Sequence, residues 1–303
     1  MKELVVVGSG PAALTAALYA AREGVGVTVY EKESLGGLAG TIDVIENYPG
    51  TGNVTGAELV GKMREQAESF GAEFDYGEVN KLEDRGDVKV LTVDGMEVEA
   101  RSVLIATGCA RRKLGVPGEA EFDGRGVHYC AICDGAFYKD KKVIVIGGAN
   151  SAIQEALFLA KFASEVEIVA LFDIMASGVL RGRLEEAVKS GKVKVNTYAD
   201  TVEVVSKDGK VVGVRVKEES GERVVEGDGV FVFIGLVSTT EFLEGSGVEL
   251  SERGFVVTDE SYETGMKGVF AAGDVREGAT RQIVCAAGEG AAAALVIGEY
   301  LGE

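Results

Sequence analysis

The stretch Leu4-Val5-Val6-Val7-Gly8-Ser9-Gly10-Pro11-Ala12-Ala13-Leu14 decides the fold. Residues 3–7 are a short, continuous apolar run, the pattern of a strand buried on both faces. A glycine turn follows. The small-residue run Leu14–Glu23 then reads as a helix, and Gly26–Tyr30 reads as a second strand that closes on Glu31. Strand, glycine turn, helix and strand make a βαβ unit of a parallel sheet. Within it, Gly8, Gly10 and Ala13 form the pattern Gly-x-Gly-x-x-Ala. The first glycine allows the tight turn, the second lets the backbone approach a pyrophosphate, and the small third residue lets helix and strand pack. The helix N-terminus then stabilises phosphate charge. Glu31, 23 residues after Gly8, is placed to accept hydrogen bonds from a ribose diol. A turn kept only for packing is the weaker alternative, because strand, helix and acid all stand in place.

Outward from this unit, 56–70 reads as an amphipathic helix. Residues 73–105 hold short strands with turns at Asp84–Asp87 and Asp94-Gly95, and 102–106 is a strand ended by Thr107-Gly108. The pattern then restarts. Lys142–Ile146 is a strand, 147–152 a turn, Ile153–Phe162 a helix and Glu165–Leu171 a strand, with later strands near 193–197, 202–206, 211–217 and 230–234. A last strand, Val269–Ala272, leads through Gly273-Asp274 to the helical run Gln282–Leu301. The expected class is α/β, with two Rossmann-like dinucleotide-binding domains, the second inserted into the first. The first domain comprises 1–112 and 241–303, and the inserted one 113–240.

The chain has 303 residues, enough for about two domains at roughly 150 residues each. Its 31 Lys and Arg against 49 Asp and Glu leave a net charge of −18. That balance argues against binding nucleic acid or anionic lipid, both of which need a cationic surplus. The apolar runs Ala12–Ala21 and Gly290–Gly298 fall short of the roughly 18–20 residues that span a bilayer. The N-terminus opens directly into a strand rather than a leader, so a cytoplasmic location is expected. Four cysteines do not make a disulfide scaffold.

Two of those cysteines lie in Cys130-Ala131-Ile132-Cys133, followed by Asp134-Gly135. At this spacing one thiol can attack a partner disulfide while the other resolves it. Asp134 is an adjacent carboxylate suited to moving a proton to or from a departing thiolate. Two other readings stay open. A structural zinc site wants four ligands, and the remaining candidates His128, Cys109 and Cys285 do not pair at ligand spacing. The two thiols are otherwise inert and buried. His128, the only histidine, is read as a hydrogen-bonded or solvated loop residue, and Cys109 and Cys285 as packing residues.

The motifs Gly8–Ala13, Gly36-Gly37, Glu46-Asn47-Tyr48-Pro49-Gly50, Ala106-Thr107-Gly108, Cys130–Gly135, Gly268–Asp274 and Arg281-Gln282 occur in that order along nearly the whole chain. In this set the sequence resembles the low-molecular-weight thioredoxin reductases, a class of FAD-dependent pyridine nucleotide-disulfide oxidoreductases. The resemblance implies an FAD site in the first domain. Gly8, Gly10 and Ala13 would face the pyrophosphate, Glu31 the ribose and Asn47 the flavin region. Asp274 would meet the ribityl-phosphate portion, and Arg281 and Gln282 the isoalloxazine. The implied cofactor-binding set also takes in Pro11, Ala12, Lys32, Gly37, Leu38, Ala106, Thr107, Gly108, Gly273 and Ile283. Cys130 and Cys133 would be the redox disulfide, Cys133 nearer the flavin and Cys130 attacking the substrate disulfide. Asp134 would be the acid–base residue. The implied partner is thioredoxin or a glutaredoxin-like small protein, and the implied assembly a homodimer. Motion of the inserted domain is expected to be absorbed near Leu114–Gly118 and Gly235–Thr240.

The second glycine turn departs from that pattern. In Gly147-Gly148-Ala149-Asn150-Ser151-Ala152 an alanine stands at the close-approach position. Where the family carries a His-Arg-Arg run for the extra phosphate of NADPH, this chain has Ala170, Leu171 and Phe172. A 2′-phosphate calls for the charge and bidentate fork of arginine. The nicotinamide is therefore doubtful, and reduced ferredoxin or a reduced deazaflavin is the favoured donor. NADH is an alternative through Asp173, which has a structural reading as a loop acid. An NAD(P)H-dependent thioredoxin reductase, or a flavin or ferredoxin reductase on the same scaffold, is the competing function. The basic clusters Arg111-Arg112-Lys113 and Lys139–Lys142 could steer an acidic donor or partner, and solvated, charge-mixed loops are the preferred reading.

Overall fold

The computed structural model describes residues 1–42 and 44–302. Strand β1 (Lys2–Val7) enters the glycine turn and helix α1 (Pro11–Arg22), then β2 (Val27–Glu31). Helices α2 (Gly37–Gly40) and α3 (Gly56–Ser69) precede strands β3 (Glu73–Tyr76), β4 (Val79–Arg85), β5 (Val88–Val93) and β6 (Met96–Ile105). A short crossing strand, β7 (Cys109–Arg111), leads to β8 (Val127–His128), α4 (Ala131–Asp134), β9 (Lys142–Ile146), α5 (Asn150–Leu159), β10 (Glu165–Ala170), α6 (Gly178–Lys189) and β11 (Val193–Thr197). Strands β12 (Asp200–Lys207), β13 (Lys210–Glu218), β14 (Gly221–Glu226) and β15 (Gly229–Val232) follow. The second crossing strand, β16 (Leu236–Ser238), leads to β17 (Val269–Ala271) and α7 (Ile283–Gly302).

The chain divides into two compact units, 1–110 with 237–303 and 111–236. These boundaries lie two and four residues before those expected from sequence. The two crossing strands pair with each other. The segment 114–118, expected to flex, is braced inside the second unit: the amides of Leu114 and Gly115 donate to the buried Glu119 carboxylate at 2.7 and 2.6 Å.

The first unit is built on a sheet in the order β3-β2-β1-β6-β5-β4, with β17 also on β6. Strands β3, β2, β1, β6 and β17 run parallel, and β4-β5 is an antiparallel hairpin. The ten-residue β6 branches. Residues 96–100 pair with β5 and residues 103–105 with β17. The chain passes from β1 to β2 on one side, while β6 lies on the other. That reversal opens a crevice beyond the C-terminal ends of β1 and β6, where doubly wound sheets bind ligands. Helix α3 starts at a capping box: Thr55 Oγ1 accepts from Glu58 N at 3.2 Å, and the Glu58 carboxylate accepts from Thr55 N at 2.9 Å.

Helix α7 corrects the reading of the C-terminal run as a short apolar segment. Its 20 residues are long and apolar enough to cross a bilayer by length and composition. Its small-residue face instead packs on α1, with Ala286, Gly290, Ala293, Ala294 and Ile297 buried in the core shared with Ala12, Ala13, Ala16 and Ala17. A Cβ at Gly290 would stand 2.1 Å from the Ala12 carbonyl oxygen. Gly290→Val is therefore expected to wedge the helices apart at a cost of about 2–3 kcal/mol, lowering the thermal midpoint by about 5–10 °C. An unchanged midpoint would show that the helices have room.

The second unit carries the parallel sheet β11-β10-β9-β15-β8 and the antiparallel sheet β12-β13-β14. Its reversal lies between β9 and β15. Helix α6 and strands β8 and β14 lack a sequence expectation. Leu184 is the one residue of α6 that is buried, and only Val225 of β14 is, so neither segment shows strong periodicity.

Candidate functional site

In the first unit the sequence-predicted residues gather at the C-terminal ends of the parallel strands. Gly8 follows β1 at φ +98°, and a Cβ there would lie 2.6 Å from the Ala106 carbonyl oxygen, so the turn itself demands glycine. Gly10 is different. Its backbone is extended (φ −69°, ψ 178°), and a Cβ would meet nothing within 4 Å. Packing does not explain this glycine, and its open surroundings leave room for a ligand to approach the backbone. It is also the N-cap of α1 and supplies no side-chain cap, while Pro11 occupies the first turn. The free amides of the first turn are thus left for an anion. Ala12 and Ala13 are buried beneath, Ala12 against Gly273 and Gly290.

Glu31 ends β2. One carboxylate oxygen accepts from Ser9 N at 3.0 Å and Ser9 Oγ at 2.6 Å, and the other from Glu33 N at 2.9 Å. Ser9 Oγ also accepts from Gly36 N at 3.1 Å, joining the turn to the N-cap of α2, the helix that carries Gly37 and Leu38. The Gly37 position approaches Gly10 Cα. Asn47 Nδ2 donates to Gln282 Oε1 at 3.0 Å across 235 residues. Ala106 follows β6, and its amide donates to Val7 O at 2.9 Å. Gly273 and Asp274 follow β17 just after Ala272, whose amide donates to Ile105 O at 3.0 Å. Burial pushes the Asp274 carboxyl above its ordinary value, with Glu289 adding to the shift and Arg281 opposing it. A desolvated carboxyl is suited to hydrogen-bonding a ligand hydroxyl or phosphate. These residues fit a dinucleotide such as FAD.

Other predicted residues are likewise engaged within the protein. Lys32 pairs with Glu78 at 3.4 Å. Thr107 Oγ1 donates to Thr239 O at 2.8 Å, and Thr239 Oγ1 donates to Thr107 O at 2.7 Å and Gly108 O at 3.1 Å. The Arg281 guanidinium lies 4.7 Å over the Phe255 ring, and Ile283 begins α7. Sequence reasoning missed Ser9 and Glu289. Glu289 accepts from Gly273 N at 2.8 Å and pairs with Arg276 at 3.0 Å. Neither residue belongs to a spacing rule. Cys109 is buried, its thiol donates to Asp274 O at 3.2 Å, and burial pushes that thiol up to about 11.

In the second unit Cys130 and Cys133 are joined as a disulfide. Cys130 is buried and caps α4, its sulfur accepting from Cys133 N at 3.2 Å, whereas Cys133 is exposed. The attacking role that the resemblance gives to Cys130 therefore requires its sulfur to become uncovered. Asp134 closes the same turn, its amide donating to Cys130 O at 3.2 Å. Behind it, His128 Nδ1 stands 3.1 Å from Asp134 Oδ2, and Nε2 lies 2.8 Å from the Tyr138 hydroxyl. His128 is thus hydrogen-bonded, as one of the two expectations had it, but it is a buried residue of β8 and not a solvated loop residue. Among the described residues, no group of three or more His, Cys, Asp or Glu side chains is placed to hold a metal ion.

At the second glycine turn, Gly147 repeats Gly8: a Cβ would lie 2.2 Å from Phe233 O. Ala149 takes the place of Gly10 in the same extended conformation (φ −92°, ψ −179°). The loop after β10 is bonded to this turn, Met175 N donating to Gly148 O at 2.8 Å and Ser177 N to Asn150 Oδ1 at 2.8 Å. Leu171 and Phe172 face solvent at 51% and 60% exposure. Asp173 Oδ1 accepts from Ile174 N at 2.8 Å. The Arg181 guanidinium donates from Nε to the carbonyl of Ala176 and from one terminal nitrogen to that of Ile174.

The pyridine nucleotide-disulphide oxidoreductase family model matches residues 2–290. The thioredoxin reductase of Bacillus subtilis is 39% identical over 304 residues, covering 99% of this chain and 95% of that protein. The crystal structure of Lactococcus lactis thioredoxin reductase is similar at a TM-score of 0.93 and 37% identity, covering 99% of both chains. That of T. acidophilum thioredoxin reductase gives 0.91 and 34%, covering 98% of this chain and 97% of the other.

Proposed function

The chain belongs to the pyridine nucleotide-disulphide oxidoreductase family as an FAD-dependent oxidoreductase of the thioredoxin reductase type, and on that premise we propose that it reduces the disulfide of a thioredoxin-like protein with electrons from a donor other than NADPH. The observation that carries the reading is the Cys130–Cys133 disulfide with Asp134 in the same helical turn. FAD, when bound, carries two electrons from the donor to that disulfide. Gly10, the uncapped first turn of α1 and Glu31 would hold its diphosphate and ribose, and Asp274 the remainder.

The reduced pair then works as a thiolate and a thiol. The thiolate breaks the partner's S–S bond, forms a mixed disulfide and expels one partner thiolate, which takes the proton of Asp134. The second enzyme thiol returns its proton to Asp134 as its sulfur closes Cys130–Cys133 and expels the second partner thiolate. Two electrons pass from enzyme to partner, and Asp134 ends as it began.

The donor reading is supported by three features of the second unit. Ala149 puts a methyl group where a pyrophosphate would approach. Leu171 and Phe172 offer no charge to a 2′-phosphate. Arg181 is oriented by hydrogen bonds to the carbonyls of Ala176 and Ile174. Reduced ferredoxin or a reduced deazaflavin is the donor class that needs none of these contacts, and NADH is the second choice. An anaerobic panel of NADPH, NADH, reduced ferredoxin and reduced deazaflavin tests this through bleaching of the flavin. NADPH is expected to bleach slowly or not at all. Rapid bleaching at micromolar NADPH would overturn the donor assignment.

A further inference from the structure

We propose that His128 is a positioning residue for Asp134: it holds the carboxylate beside the cysteine pair and stabilises it as an anion each time it has given up its proton. The proposal rests on the reading of Asp134 as the proton donor to the expelled thiolate.

The ring of His128 is held by close packing. It is 4% exposed, stacks on Phe231 at 5.2 Å between centroids, and meets the edge of Tyr138 at 5.3 Å. Tyr138 and Phe231 also touch, at 5.4 Å, so three rings fix one another. Within this packing the Tyr138 hydroxyl has one hydrogen-bond partner among the described residues, His128 Nε2 at 2.8 Å. Burial keeps that hydroxyl protonated by raising it above its ordinary value. Because Nε2 is the one acceptor within reach of that proton among the described residues, the positioning role takes the hydroxyl as donor to Nε2 and the imidazole proton as carried on Nδ1.

Nδ1 is the atom that faces Asp134 Oδ2 at 3.1 Å. It is buried and lacks an aligned hydrogen bond in the disulfide form. Leaving a buried N–H unpaired is unfavourable, because the group has given up its water without gaining a partner. A small turn of the carboxylate closes the bond, and the gain is greatest when Asp134 is ionised. Loss of the proton by Asp134 is thereby coupled to formation of a charge-assisted hydrogen bond. Arg111 interacts electrostatically with both Glu155 and Asp134. The imidazole thus acts through the carboxylate and transfers no proton to sulfur.

Two variants of opposite geometry test the role. His128→Asn keeps an amide nitrogen near the place of Nδ1. His128→Gln keeps one near Nε2 and so preserves only the Tyr138 contact. Dithionite-reduced holoenzyme is oxidised in a single turnover by hydroxyethyl disulfide, whose alkyl thiolate needs protonation, and by dithiobis(nitrobenzoate), whose aromatic thiolate leaves without it. His128→Gln is expected to slow the alkyl reaction about tenfold and the aromatic one less than about twofold, and His128→Asn to restore the alkyl rate to within about threefold. Equal slowing of both disulfides, Asn as slow as Gln, or no slowing by Gln would each overturn the proposal. Asp134→Asn separates the two layers. If it leaves the alkyl rate unchanged, the acid–base reading fails and the positioning role with it. If it is slow while His128→Gln is not, only the positioning role fails.

Discussion

Cys130→Ser is expected to lose at least about 1000-fold in protein-disulfide reduction while keeping its flavin. A serine hydroxyl is not ionised at neutral pH and forms no bond equivalent to S–S, so neither the mixed disulfide nor the closing step remains. The flavin is retained because the residues that fit it lie in the first unit, within 1–110 and 237–303, whereas Cys130 lies in the second. Anaerobic dithionite titration reads the same loss without any partner. The native enzyme should take up about four electrons, two at the flavin and two at the disulfide, and the variant about two. Uptake of four by Cys130→Ser, or of two by the native protein, would remove the disulfide from the electron path. Because Cys133 is exposed and Cys130 buried in the oxidised form, Cys133→Ser adds a second measurement. It leaves Cys130 as the only nucleophile of the pair. A stable mixed disulfide on that variant would place the attack on Cys130, and none forming would place it on Cys133.

Gly10→Val is expected to separate the fold from the cofactor. The extended backbone at this position accepts any residue, and a Cβ there meets nothing within 4 Å. The protein loses only the difference between glycine and valine as a helix N-cap, about 1 kcal/mol, or about 2–4 °C in thermal midpoint. The branched side chain, however, fills the volume through which a pyrophosphate reaches the amides of α1. Flavin affinity should fall more than about 100-fold, since the diphosphate loses both close approach and first-turn amides. The protein should purify folded and colourless. Retention of stoichiometric flavin would mean that the cofactor's phosphates lie elsewhere. Gly8 makes the contrast, because its positive φ and the 2.6 Å approach to Ala106 O tie it to the fold itself.

The parts of this protein legible in its sequence are those written in adjacent residues. The first βαβ unit, the restart at Lys142–Ile146 and the return at Val269 each declare themselves through an apolar run, a glycine and a change of period. The same holds for the cysteine pair with its neighbouring acid. Helix α6 escaped because Leu184 alone is buried in it, which leaves little stripe to read. Strand β14 escaped because it lies on an exposed antiparallel ribbon. The bilayer test by run length missed α7 because its glutamates and glycines interrupt the run without interrupting the helix.

What the sequence by itself determined was the order of elements, the glycine turns and the placing of two sulfurs three residues apart. Those features follow from local sterics and from the periods of strand and helix, which any short window contains. Only the tertiary structure decided which groups meet. It brings Asn47 to Gln282, Gly273 to Glu289, and His128 to both Asp134 and Tyr138. It also buries Cys130 while exposing Cys133, and distinguishes a glycine required by packing from one that packing leaves open. The physical reason is that burial and hydrogen-bond geometry are properties of pairs distant along the chain. A pairwise distance has no counterpart in composition or period.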